Sequence, residues 1–177
     1  MSKVKWTVDA GHSMLEFSVK HMMISRVKGV FNDFEANILA DPQDLTDAEI
    51  EFTVDLGSID TRKKDRDDHL RSADFFDVEN HPQMNFKATD IQKTSENEYD
   101  VTGDMTIRGT TKPVTFNMTF EGQHKDPWGN EVAGFSGHGK LNRKEFGLTW
   151  NATLETGGVL VGEDININIE IEAHKQS

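Results

Sequence analysis

The chain has 177 residues and no cysteine, and its 31 acidic side chains outnumber 19 basic ones to give a formal net charge of −12. So acidic a chain opposes nonspecific binding to nucleic acid, which needs cations to displace counterions from phosphates, and disfavours adhesion to anionic membranes. Without thiols there are no disulfides and no thiolate metal sites.

The opening, Met1-Ser2-Lys3-Val4-Lys5-Trp6, runs directly into strand-like sequence with no apolar leader and no small-residue cleavage site. No segment approaches the ~20 apolar residues of a membrane span. A cytoplasmic protein with no stable membrane insertion, folded as one domain over residues 1–177, is the expectation. Period-two alternation then recurs along the chain. Leu15, Phe17 and Val19 alternate with Glu16, Ser18 and Lys20, and His21 continues the apolar register. Phe34, Ala36 and Ile38 alternate with Glu35 and Asn37. After an Asp41-Pro42 turn, Ala48, Ile50, Phe52, Val54 and Leu56 alternate with Glu49, Glu51, Thr53 and Asp55.

The segment from Arg62 to Phe76 breaks the pattern. It is densely charged, with a positive balance, and ends in Phe75-Phe76. Ser58, Asp60 and Thr61 offer helix-capping side chains before it. Lys64/Asp68 and Asp67/Arg71, at i,i+4, support a helix of two or three turns fastened by the phenylalanines. Two readings stand side by side: a solvated helix that closes one end of a sheet, or a cluster in which Arg62, Arg66 and Arg71 hold an anionic head group through their planar forks.

Alternation then resumes. Tyr99, Val101, Gly103, Met105 and Ile107 share one side, and Gly109-Thr110-Thr111-Lys112-Pro113 reads as a turn into a strand that carries Val114, Phe116, Met118 and Phe120 on one side. Asp126-Pro127-Trp128-Gly129-Asn130 opens a further loop. Gly137 and Gly139 flank His138 in a strand-like run, where close backbone packing or a bulge suits glycine. Ile165, Ile167, Ile169 and Ile171 alternate with Asn166, Asn168, Glu170 and Glu172. One dry face and one wet face per strand favours antiparallel sheets. About eight such strands with little helix bury their dry faces as a barrel or as a sandwich, and periodicity leaves both open.

No catalytic signature assembles from the residues. The seven histidines are scattered, and there is no HExxH, EF-hand, phosphate-binding loop or nucleophile elbow. His21 reads as a satisfied interior histidine, because catalysis would need a positioned partner. Met14, Met22, Met23, Met84, Met105 and Met118 are expected to share the interior with the phenylalanines. A Phe- and Met-rich barrel with one cationic segment suits a flexible apolar ligand.

Taken in order, Trp6-Thr7-Val8-Asp9 with His12-Ser13, Phe17-Ser18-Val19-Lys20-His21, Val27-Lys28-Gly29-Val30-Phe31, Ser58-Ile59-Asp60-Thr61, Arg66 through Phe76, His81-Pro82, Gly103 through Val114, and Asn142 through Leu148 resemble the YceI-like family of polyisoprenoid-binding proteins. The likeness runs from Trp6 to about Ala173. It implies an all-β, antiparallel up-and-down barrel of lipocalin-like architecture with a short helical insert. It also implies an apolar cavity for an isoprenoid chain, an isoprenoid quinone or a similar amphiphilic lipid, and it is compatible with a homodimer. The expectation is therefore a binding protein with no catalytic residues, no metal and no cofactor, a polyisoprenoid or quinone-like lipid being its ligand. Phe17, Val19, His21, Phe31, Phe34, Phe52, Phe75, Phe76, Phe86, Met105, Phe116, Met118 and Phe146 are the expected lining. Arg66, His69 and Arg71 are expected at the head-group end, with a structural Arg66–Asp67 pair as the alternative. The competing classes are a small lipid-modifying enzyme using His21 and a ligand-free, stress-related interaction domain.

Overall fold

The computed structural model describes residues 3–151 and 160–176. Among these, the alternating segments form one antiparallel sheet of eleven strands: β1 (Val4–Val8), β2 (Met14–His21), β3 (Ser25–Phe31), β4 (Phe34–Asp41), β5 (Asp44–Asp55), β6 (Ile59–Asp60), β7 (Gln83–Ser95), β8 (Glu98–Ile107), β9 (Thr110–Lys125), β10 (Glu131–Asn142) and β11 (Val161–Lys175). Eight of them, in the order β1-β4-β5-β7-β8-β9-β10-β11, form a circuit that β1 closes against β11. The architecture is thus a closed antiparallel barrel, and the sandwich alternative falls away. No helix among the described residues is long and apolar enough to cross a membrane.

The two ends of the barrel differ because β1 and β2 share one neighbour. β1 pairs with β11 at Ala173–Lys175, whereas β2 takes over along Val161–Glu170. At the β1 end the circuit is complete, and buried Trp6 donates its indole N–H to the Ala40 carbonyl (3.3 Å). At the β2 end the sheet branches outward through β3 to β6, where the strand order stops. The one α-helix among the described residues, α1 (Lys64–Arg71), and the phenylalanines after it line the interior beside this branch.

Two local expectations are corrected. The β8–β9 turn is only Arg108-Gly109, both with positive φ (51° and 75°), and the strand resumes at Thr110. Pro113 lies inside β9, beyond the last β10 partner at Phe116, so its missing N–H costs no bond on that edge. Residues 58–61 do not cap α1. The N-cap is Lys63, without a side-chain bond, and Ile59-Asp60 forms β6 instead. Buried Asp67 reaches back out of the helix to accept from the Thr61 backbone N–H (2.9 Å) and hydroxyl. That removes Asp67 from the expected Asp67–Arg71 pair, and Arg71 takes Asp68 (3.1 Å), which also holds Lys64 (2.8 Å).

Several bulky inward side chains lie over glycines on neighbouring strands. A Cβ on Gly29 would sit 2.6 Å from the Phe17 ring, and one on Gly139 would sit 2.5 Å from Phe116. At Gly103 the obstacle is backbone as well: a Cβ would meet the Lys87 carbonyl oxygen at 2.5 Å and the Phe86 ring at 2.6 Å. Backbone cannot swing aside as a side chain can. Gly103→Ala is therefore expected to destabilise the barrel by about 2 kcal/mol, measured as a lowered urea midpoint at unchanged slope. A loss below about 0.5 kcal/mol, the level of a neutral surface change, would contradict the packing.

Candidate functional site

The dry faces do not fill the barrel. Three apolar cavities follow one another along β11, whose Ile165 and Ile167 wall the first, Ile167 and Ile169 the second, and Ile171 the third. The first and widest, about 1160 Å³ counted out through its mouth, lies under the branched end. The second (about 600 Å³) shares Leu15, Met84 and Ile167 with it, and the third (about 540 Å³) shares Ile50, Phe52, Val101 and Met118 with the second. These shared residues are partitions between neighbouring chambers of one bore. At roughly 3.3 Å per residue, Ile165 to Ile171 spans about 20 Å of strand, or about 15 Å along a barrel axis tilted by the usual 35–45°.

Of the residues expected to line the interior, Phe17, Val19, His21, Phe31, Phe75 and Phe76 meet in the first cavity. Phe52, Phe86, Met105, Phe116 and Met118 meet in the second, with Phe52 and Met118 continuing into the third. Phe34 and Phe146 line none of the three. Phe34 is half-buried at the start of β4, and Phe146 is fully buried in the 3-10 turn Arg143–Phe146, where it supports the wall from behind. Met22 and Met23 are not interior residues. They stand 44% and 59% exposed in the β2–β3 turn, where alternation has already ended.

The mouth is built on two aromatic groups. Phe31 bridges Phe17 (5.5 Å between centroids) and Phe76 (6.1 Å). On the other side His69 stands edge-on to Phe75 (5.0 Å) and to Trp150 (4.7 Å), and its Nε2 pairs with Asp74 (2.9 Å). Arg66 lines the cavity while its Nε and Nη2 donate to the Thr61 hydroxyl (2.8 Å) and carbonyl (2.7 Å). Arg66 and Asp67 are therefore joined through Thr61 and not directly. Arg71 does not line any of these cavities: it donates to the carbonyls of Gly57 and Ile59 (both 3.1 Å) and pairs with Asp68, locking α1 to β6.

Sequence reasoning missed Arg143, Trp150 and Leu148, all in the wall of the first cavity. Arg143 is 2% exposed and donates to four carbonyls: Leu148 (2.7 Å), Gly162 (2.7 Å), Trp150 (2.8 Å) and Val161 (3.2 Å). Burial pushes its guanidinium below its ordinary pKa, and Glu163 works in the opposite sense. The group nonetheless stays cationic. The available signal is an arginine inside the Asn142–Leu148 motif, but its partners are backbone carbonyls, which side-chain patterning cannot reveal.

One polar cluster lies away from the bore, at the seam where β1 meets β11. His12 Nδ1 sits 2.8 Å from Asp9 and 3.3 Å from Glu172, and His174 Nε2 sits 3.3 Å from the same Asp9 oxygen. Donor atoms of Asp9, His12 and Glu172 lie within 4.8 Å of one another, a spacing a cation could bridge, and here they satisfy each other. The hydrogen bond to His12 leads in holding Asp9 down to about 2, with His174 and the Gly11 N–H helping against burial. Asp9 first and Glu172 second raise His12. A depressed Asp9 contributes stability above its unfolded value and loses it as pH falls through about 2; a raised His12 contributes below its unfolded value and loses it as pH rises. The thermal midpoint is therefore expected to fall as pH rises above about 6.5, and His12→Ala is expected to flatten that limb. An unchanged alkaline slope in the variant would remove the seam as its cause.

The model of the YceI-like domain matches residues 6–173. The chain belongs to the YceI-like family. A UPF0312 protein of Staphylococcus epidermidis is 41% identical to this YceI-like chain over 169 residues, covering 95% of this chain and 96% of the relative. The crystal structure of Burkholderia cenocepacia BcnA superposes with a TM-score of 0.82 at 25% identity, over 93% of this chain and 98% of that one. A polyisoprenoid-binding domain from Saccharophagus degradans shares the fold at a TM-score of 0.71 and 11% identity, over 98% of this chain and 99% of that domain. In this YceI-like barrel the interior holds a row of apolar cavities.

Proposed function

We propose that the barrel binds one long-tailed amphiphilic lipid, a polyisoprenoid, an isoprenoid quinone or a comparable chain, and stores or carries it without transforming it. The observation that carries this reading is the run of three apolar chambers along β11, each sharing walls with the next. A tail laid along them leaves water at about 25 cal/mol per Å² of apolar surface buried. The head group rests at the wide mouth beside Arg66, His69 and the Trp150 ring. The Saccharophagus degradans domain that shares this fold is described as polyisoprenoid-binding, which supports an isoprenoid tail. Binding rather than chemistry is favoured by how the polar groups at the mouth are used: His69 is held by Asp74, Arg66 by Thr61 and Arg143 by four carbonyls.

Native mass spectrometry of freshly purified protein, followed by organic extraction, tests the proposal. The expected result is one bound lipid per barrel, replaced on incubation with a prenol or quinone. Protein that stays ligand-free after incubation with prenols, quinones and fatty acids overturns it. Turnover of a bound lipid that His21→Ala abolishes would move the protein into the enzyme class.

A further inference from the structure

The tip of the β2–β3 hairpin does what a soluble barrel has no reason to do. Met22, Met23 and Ile24 stand 44%, 59% and 86% exposed in succession, and Trp128 is the one other large apolar side chain so exposed among the described residues. The turn is also costly in itself. Met22 and Met23 hold φ of 53° and 64°, left-handed backbone that favours glycine or asparagine and penalises a bulky side chain.

The charge around the tip is equally out of character. From Phe17 to Asn32 there is no acidic residue, in a chain with 31 of them, while Lys20, Arg26 and Lys28 are all exposed. Lys20 and Arg26 face each other directly across β2 and β3, a like-charge pair that weakens a hairpin. Among the described residues none of the three cations forms an ion pair. Glu163 and Asp164, on the neighbouring end of β11, are engaged by Lys144 (2.8 Å) and Lys140 (3.7 Å). Strain, exposed apolar surface and unpaired positive charge thus coincide on one hairpin. That hairpin borders the mouth of the first cavity, which Lys20, His21 and Val27 help to line, and the Met22 N–H is tied to the Leu160 carbonyl (2.8 Å), just before the adjoining strand β11.

We propose that the β2–β3 hairpin is a membrane-contact tip. Met22, Met23 and Ile24 enter the interface of an anionic phospholipid bilayer, Lys20, Arg26 and Lys28 hold its head groups, and the mouth is set down where a lipid can pass into the bore. This assignment rests on the lipid-binding reading above. It also revises the expectation from net charge, because adhesion depends on the face presented and not on the sum over the chain. A second copy of the chain fits the tip less well: a two-fold contact presents the same patch on both sides and would bring like cations together.

Co-sedimentation with vesicles of phosphatidylcholine plus phosphatidylglycerol, compared with phosphatidylcholine alone, tests the tip. The wild type is expected to bind the anionic vesicles and to release them in high salt. The K20Q/R26Q/K28Q variant should bind them on the order of 100-fold more weakly, at about 1 kcal/mol per cation lost. The M22N/M23G/I24S variant places residues the left-handed turn favours and should fold at least as well. It is expected to lose vesicle binding and to take up a prenol from vesicles at least about tenfold more slowly, with unchanged uptake from detergent micelles. Wild-type protein that ignores anionic vesicles, or a tip variant that matches it in sedimentation and vesicle uptake, overturns the proposal. Failure of uptake from micelles as well as vesicles would instead defeat the lipid-binding reading, while sedimentation still reads out the tip.

Discussion

Arg143→Ala is expected to lower the unfolding free energy by about 3–5 kcal/mol, the range for breaking a buried charged network. The side chain serves four carbonyls that belong to two separate stretches, Leu148–Trp150 and Val161–Gly162. Without it, those carbonyls must find water or remain unsatisfied at a cost of about 1–3 kcal/mol for each that stays buried. The guanidinium also lies over the Phe75 ring, 6.0 Å from its centroid, so the wall of the mouth loses a layer along with its ties. Arg143→Lys should recover only a minor part, because an ammonium cannot spread its donors as a planar fork does. Urea denaturation of the three proteins measures both effects. A loss under about 1 kcal/mol for the alanine variant would show that the carbonyls are readily rehydrated.

Leu15→Trp is expected to close the partition between the first and second chambers, both of which Leu15, Met84 and Ile167 line. A tail would then stop at the first chamber. Losing about five buried carbons at ~0.8 kcal/mol each corresponds to roughly 4 kcal/mol, an affinity loss on the order of 1000-fold for long tails. Ligands short enough to end before the partition should bind as before, and that contrast separates a blocked bore from a damaged fold. Leu15→Ala opens the same point and should leave long-tail affinity equal or improved. Tail-length series measured by fluorescence displacement provide the comparison. A uniform loss across all lengths would argue that the tail does not pass Leu15.

Much of the barrel was legible because its strands have unlike faces. The isoleucines of β11 and the Tyr99–Ile107 register each announce a dry side, and the structure turns those sides inward. What escaped is what does not repeat. Met22 and Met23 follow an inward run but sit in its turn, where alternation no longer specifies a side. Arg71 looks like a head-group ligand by type, yet two carbonyls and Asp68 engage it. Asp67 looks like half of an i,i+4 pair until Thr61 offers it two donors. In each case the deciding partner comes from outside the local pattern, so spacing alone favours the wrong one.

The seam has a consequence for how the protein comes into being. Trp6 meets Lys175 across it, and the Gln176 N–H bonds to the Lys5 carbonyl (2.9 Å). Barrel closure thus joins almost the first described residues to almost the last, the kind of distant pairing that slows folding. On a ribosome, β1 must wait for β11 to emerge before the wall exists. β11 also lines every chamber, so the bore is incomplete until that strand has been made. Until β11 is in place, the waiting edges of β1 and β2 are the stretches most in need of protection.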